Sequence, residues 1–227
     1  MSTAGIKVEL DFDAFQEEGL YLLFDDATRV ELTRKTIAKL AEVYWKDPEK
    51  IPPEVKKAAD FQLCAHCPEK GKDVLCCALK PMIPYVDKVG KYFSYDQVTA
   101  VYRQKKSPVL HVVHTSMQEA LKYLSILSLT FYCKMGGKYH RYFDGVIPLM
   151  DIQSISDRVY LNIYLECAGN PQKIKEAITI FKKEIFESSK CMVKRLHLLC
   201  HHDAFVNAFI NAELVTEFLD LVVAEAA

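Results

Sequence analysis

The residues of this chain best suited to chemistry are its eight cysteines, at positions 64, 67, 76, 77, 133, 167, 191 and 200. Half of them fall in one short segment: Cys64-Ala65-His66-Cys67-Pro68, then Cys76-Cys77 after eight intervening residues. Two residues between cysteines let a tight turn aim both thiolates at one ion while backbone N–H groups face the sulfurs, and Pro68 and Gly71 suit such a turn. A borderline-soft ion such as Zn²⁺ takes four ligands tetrahedrally, with sulfur at roughly 2.3 Å. Cys64 and Cys67 supply two of these, and Cys76 or Cys77 a third. The fourth is His66, the other member of the Cys76-Cys77 pair, or a distant residue such as Cys133. The bland alternative is a loop of thiols that touch no metal. A thiol redox pair is the weakest of the three readings, because C-x-x-C of that kind follows a strand in a βαβ unit and the pattern here shows none.

Other constellations carry less. His197, Cys200 and His201 would share one face of a helix, but Leu198-Leu199-Cys200 lies between the histidines where a metalloprotease helix needs a glutamate base, so buried structural histidines are expected. His111 and His114 fall on opposite faces of a regular strand, so no joint ligand role is expected of them. Asn207 and Asn211 sit four apart among Phe205, Val206, Phe209 and Ile210; buried amides need partners, and a structural role is expected. No G-x-G-x-x-G, P-loop, G-x-S-x-G or EF-hand loop occurs, and no acid/base pair of carboxylates can be named.

The elements that must position these residues are legible in part. Ile6, Val8, Leu10 and Phe12 alternate with charged residues, the period of a half-buried strand, and 20–24 reads as the strand returning from it in an N-terminal hairpin. Residues 33–45 suit a short helix, whereas 46–72 look irregular. A short helix is expected before Pro81, and Pro84 interrupts the apolar stretch beyond it. Residues 97–103 and 109–114 read as a second, central hairpin. Ser116-Met117-Gln118-Glu119 matches a capping box, predicting a helix that runs to about Met135 and stops at Gly136-Gly137. Further helices are expected over 156–168, after Asn170-Pro171, and over 192–223 with a break near His202-Asp203. The expectation is therefore an α+β fold in one domain. A small antiparallel sheet and the cysteine loop occupy 1–115, packed with a mostly helical half over 116–227.

Bulk properties narrow the function classes. Apolar residues make up 50% of the chain and charged residues 26%, enough for a packed core. The net charge of −1 gives no electrostatic pull toward nucleic acid, and the aromatic residues form no RNA-binding box. The N-terminus shows no basic and then apolar signal pattern, and the longest apolar-leaning stretch, 120–132, is too short for a membrane span. A cytoplasmic location is expected, and in a reducing compartment metal binding or buried thiols are better readings of the cysteines than disulfides.

The chain also resembles an uncharacterised bacterial family of unknown function. Its members carry C-x2-C-P, a third cysteine usually followed by proline, and a later Gly-Cys-Pro. The resemblance spans most of the chain. It rests on Cys64-Ala-His-Cys67-Pro68, Phe93-Ser-Tyr-Asp-Gln-Val98, Thr115-Ser-Met-Gln-Glu-Ala-Leu121 and Asp203-Ala-Phe-Val-Asn207. It implies four thiol ligands at Cys64, Cys67, Cys76 and Cys133, although here Cys77 follows Cys76 in place of proline and Cys133 lacks its glycine and proline neighbours. The sequence thus points to a metal-binding protein, with zinc expected, acting as a non-catalytic regulatory or interaction module. An iron–sulfur redox or sensor protein and an enzyme of unknown class are the alternatives. The sequence names no protein partner and no oligomeric state.

Overall fold

The computed structural model describes residues 12–47, 49, 51–60, 64–70 and 76–226. Four strands form one antiparallel sheet: β1 (Gly19–Leu23), β2 (Arg29–Thr33), β3 (Gln97–Arg103) and β4 (Leu110–Ser116), in the order β2-β1-β3-β4. It is built from two hairpins. β1 and β2 turn at Asp25-Asp26, where Thr28 N–H donates to the Asp26 carboxylate at 2.9 Å, and β3 pairs β4 from Gln97↔Ser116 to Arg103↔Leu110. The expected return strand 20–24 is present as β1, but its hairpin partner is Arg29–Thr33. Both edges of β1 are taken by β2 and β3, and residues 6–11 lie outside the described residues.

Period-2 alternation decides what each face buries. Leu20, Leu22, Val30, Leu32, Val98, Ala100 and Tyr102 all point to the helical side and are buried there. Burial of each such aliphatic side chain contributes about 1.5–3 kcal/mol before chain entropy is subtracted. On the opposite face Tyr21 and Val101 are covered by Phe15, whose ring meets Tyr21 edge-on at 5.1 Å. β4 is an edge strand with both faces largely exposed, and His111 and His114 fall on its two faces as expected, opposite Tyr102 and Thr99.

The helices are α1 (Arg34–Lys46), α2 (Pro53–Asp60), α3 (Ile83–Val89), α4 (Met117–Leu127), α5 (Ile152–Glu166), α6 (Pro171–Leu199) and α7 (Ala204–Ala226). Side-chain caps start three of them: Thr33, Asp151 and Asn170 accept from the amides of Thr36, Ser154 and Lys173. α7 packs against α4, α5 and α6, which explains why it is apolar nearly all round. One continuous core runs from the sheet through α3 and α4 into α5, α6 and α7. Among the described residues no helix is long and apolar enough to cross a membrane.

Several expectations need correction. The irregular stretch 46–72 contains α2, whose first turn opens on Pro53, a residue that fits that position because its missing N–H is not needed there. The helix expected before Pro81 is only a 3-10 turn, Cys77–Leu79. Ser116 makes no side-chain cap; the amides of Met117 and Gln118 instead donate to the carbonyls of Asp96 (2.8 Å) and Ser94 (3.1 Å), so the loop before β3 caps α4. α4 stops at Leu127 and passes into a π-helical turn, Ser128–Tyr132. α5 begins earlier than expected because Asp151 is its cap. α6 ends at Leu199 and Cys200 is extended, so His197 and His201 do not share a helical face.

Candidate metal centre

Three stretches meet at one corner, two of them neighbours in sequence and the third about fifty residues further on. The first is the knuckle that begins at Cys64. Its turn closes with Cys67 N–H donating to Cys64 O at 2.9 Å and Lys70 N–H to Cys67 O at 3.0 Å, the tight geometry that C-x2-C-P predicts. The second is the 3-10 turn after Cys76, closed by Leu79 N–H to Cys76 O at 3.1 Å. The amides of Ala78 and Leu79 face the Cys76 sulfur. The third is the π-helical turn. Its i→i+5 bond, Cys133 N–H to Ser128 O at 2.9 Å, inserts one residue into the helix, and Cys133 leaves it extended (φ −64°, ψ 128°). Ser128 Oγ donates to Ala78 O at 2.5 Å, fastening the second stretch to the third.

Gly136 makes the third stretch possible. A Cβ there would lie 2.0 Å from Leu129 O, so no other residue fits, and its amide donates to Cys133 Sγ at 3.4 Å. The glycine expected to end a helix therefore serves a close backbone approach and supplies an N–H to a thiol.

These turns place Cys64, Cys67, Cys76, Cys77 and Cys133 around one cavity of about 20 Å³, with Glu69, Ala78, Lys134 and Met135 completing the wall. That volume admits one water-sized occupant. Cys64 and Cys133 are buried, at 7% and 9% exposure. As placed, the thiols line the cavity as separate groups: among the described residues, no three His, Cys, Asp or Glu side chains converge on one point at ligating distance. His66 does not line the cavity; its Nε2 faces Glu187 Oε2 of α6 at 3.7 Å.

A residue the spacing did not single out joins this corner. Cys191 of α6 hydrogen-bonds the Cys64 thiol. That bond, together with burial, raises Cys64 well above the ordinary thiol range. The same bond, helped by the Arg195 guanidinium, holds Cys191 below it. Burial pushes Cys76 up, against the pull of Arg195 and of the Ala78 and Leu79 amides. Burial also raises Cys77, against Lys134. No sequence signal marked Cys191, because it sits on a helix far along the chain from its partner, and periodicity reports only on neighbours. Cys200, at the corner between α6 and α7, is raised to about 12 by burial alone.

The asparagines are accounted for structurally. Asn207 Nδ2 donates to Asp203 Oδ2 at 2.8 Å, and Asn211 Nδ2 to Glu119 Oε1 at 2.9 Å.

The donor set suits a soft or borderline cation: several thiols, two of them approached by backbone amides that would stabilise thiolate. The chain was compared with protein-family models, with curated proteins and with solved structures, and none of them matches it.

Proposed function

We propose that this protein is a metal-binding regulatory or interaction module in which Cys64, Cys67, Cys76 and Cys133, with Cys77 as the alternate donor, hold a zinc ion that ties three chain segments together. The observation that carries the reading is the shared cavity: five thiols, four from residues 64–77 and one from Cys133, face one space of about 20 Å³. Such a space suits one ion better than an organic substrate or a polynuclear iron–sulfur cluster. The four positions are also those that the resemblance to the cysteine-patterned bacterial family implies. Zn²⁺ bound by four thiolates has no open position for water or substrate, so its contribution is to folding and shape, and binding requires the thiols to lose their protons. Side-chain rotation toward a common point is the rearrangement that an ion would impose on the separate thiols.

The test is elemental analysis and a visible spectrum of protein purified without oxygen, followed by melting with and without chelator. About one zinc per chain, no visible absorption and a lowered melting temperature with chelator are expected. Iron with sulfide and a broad band near roughly 400 nm would replace the zinc reading with an iron–sulfur one. A metal-free protein whose melting ignores chelator would overturn both.

A further inference from the structure

The sheet has two edges, and the fold treats them differently. β2 is mostly buried: the Glu31 carbonyl takes the hydroxyl of Tyr85, a buried residue of α3, at 2.8 Å, and Thr33 passes straight into α1 as its cap. β4 is exposed along most of its length, and no strand covers its outer side among the described residues. Its hairpin turn is closed by its own bonds, Ser107 N–H to Gln104 O at 3.2 Å and Val109 N–H to Ser107 Oγ at 3.1 Å. From Leu110 to Ser116 the ladder with β3 is regular, without a bulge. Every second residue of such an edge strand turns its N–H and C=O away from the sheet. Edges of this kind are ordinarily blunted by lysine, proline or a bulge. The stretch 109–116, Val-Leu-His-Val-Val-His-Thr-Ser, has none of the three. Val109, Val112 and Val113 are 53%, 44% and 43% exposed, and the last two point to opposite faces, paired with Val101 and Ala100.

Charge selects what fits this edge. No Asp or Glu occurs from 97 to 118, whereas Arg103, Lys105, Lys106, His111 and His114 all fall there, in a chain with 30 acidic and 29 basic residues overall. A second copy of β4 brings the same acid-free strand and supplies no complementary charge. We propose that β4 is a docking edge for an extended segment of a partner protein in which Asp and Glu alternate with aliphatic residues, added to the sheet as a fifth strand. Main-chain hydrogen bonds hold the segment, its aliphatic side chains cover the exposed valines, and its carboxylates meet the cationic hairpin. The inference uses no residue of the thiol corner and stands whether or not that corner holds a metal.

The experiment titrates the ¹⁵N-labelled protein with a short blocked peptide that alternates valine with aspartate and glutamate, and follows the backbone amides by NMR. Saturable shifts are expected, largest over 109–116 and absent over Arg29–Thr33, with a Kd tighter than about 1 mM. Replacing the peptide's acids by lysine should weaken binding at least about tenfold. Methylating the backbone nitrogens of one of its two alternating sets of residues should abolish binding, because those amides carry the strand pairing. Val113→Glu, at an exposed position, should weaken binding about threefold to tenfold. Should that variant not fold, the methylated peptides carry the test on the parent protein. Absence of saturable shifts, shifts centred away from β4, or equal binding of the acidic and lysine peptides would overturn the proposal. So would β4 shifts that follow protein concentration alone, which would make a second copy the occupant.

Discussion

Two corners of the molecule gather polar side chains from distant parts of the chain. At the first, the loop 93–96 meets the starts of α4 and α7. Asp203 accepts from Ser94 N–H at 2.7 Å, from Ser94 Oγ at 3.1 Å and from Asn207 at 2.8 Å. Beside it Glu119 takes Asn211 on one oxygen and the buried Lys122 ammonium on the other, at 2.9 and 2.6 Å. At the thiol corner the Cys133 sulfur takes the Gly136 amide at 3.4 Å and donates to the Ser188 hydroxyl at 3.8 Å. In the polar corner the carboxylates are spent on fixed internal donors, and such a network rigidifies a fold. Thiols are weaker hydrogen-bond donors and acceptors than carboxylates and amides, so this corner is held by softer contacts.

That contrast can be broken by experiment. The largest effect is expected from Gly136→Ala, whose Cβ would overlap Leu129 O; it should cost about 3 kcal/mol or more in urea unfolding, while Gly137→Ala, with its nearest neighbour at 3.9 Å, should stay within about 0.5 kcal/mol. Equal midpoints for the two would mean that the π-helical turn does not close on Gly136 as described. Chelation comes next. Protein held at about a hundred times the zinc dissociation constant should lose about 2.7 kcal/mol when the metal is removed, and Cys76→Ser should abolish that difference. Asp203→Ala should cost about 2 kcal/mol by stranding the Ser94 amide and Asn207, with zinc affinity unchanged. A parallel fall in zinc affinity would show that the two corners are not independent. The smallest effect is expected from Ser188→Ala: below about 1 kcal/mol in stability, with a loss of zinc affinity no greater than that of Cys191→Ala. A loss larger than Cys191→Ala gives would make Ser188 the principal contact of the α6 face with the thiols.

The elements most legible in the sequence were those fixed by local rules. β3 follows from the β-rich composition of 97–103, and the start of α6 from Asn170 and Pro171, because propensity and capping act over a few residues. The strand Arg29–Thr33 is not legible in the sequence, because the alternation of Val30 and Leu32 after an Asp-Asp turn spans only five residues. Ser116 failed as a cap because the loop before β3 reached the same amides first, a competition invisible to a local motif.

The cysteine corner divides the same way. The Cys64–Cys67 knuckle is a property of its own turn, so spacing alone determined it. Cys133 enters only through the resemblance and as one distant candidate among several. Its place beside Cys64 and Cys76 depends on the extra residue of the π-helical turn and on the Gly136 contact. Cys191 and Arg195 were decided wholly by tertiary structure. A helix face acquires meaning only from the groups packed against it, and no periodicity within residues 171–199 could say that Ser188 and Cys191 would meet thiols from two other parts of the chain.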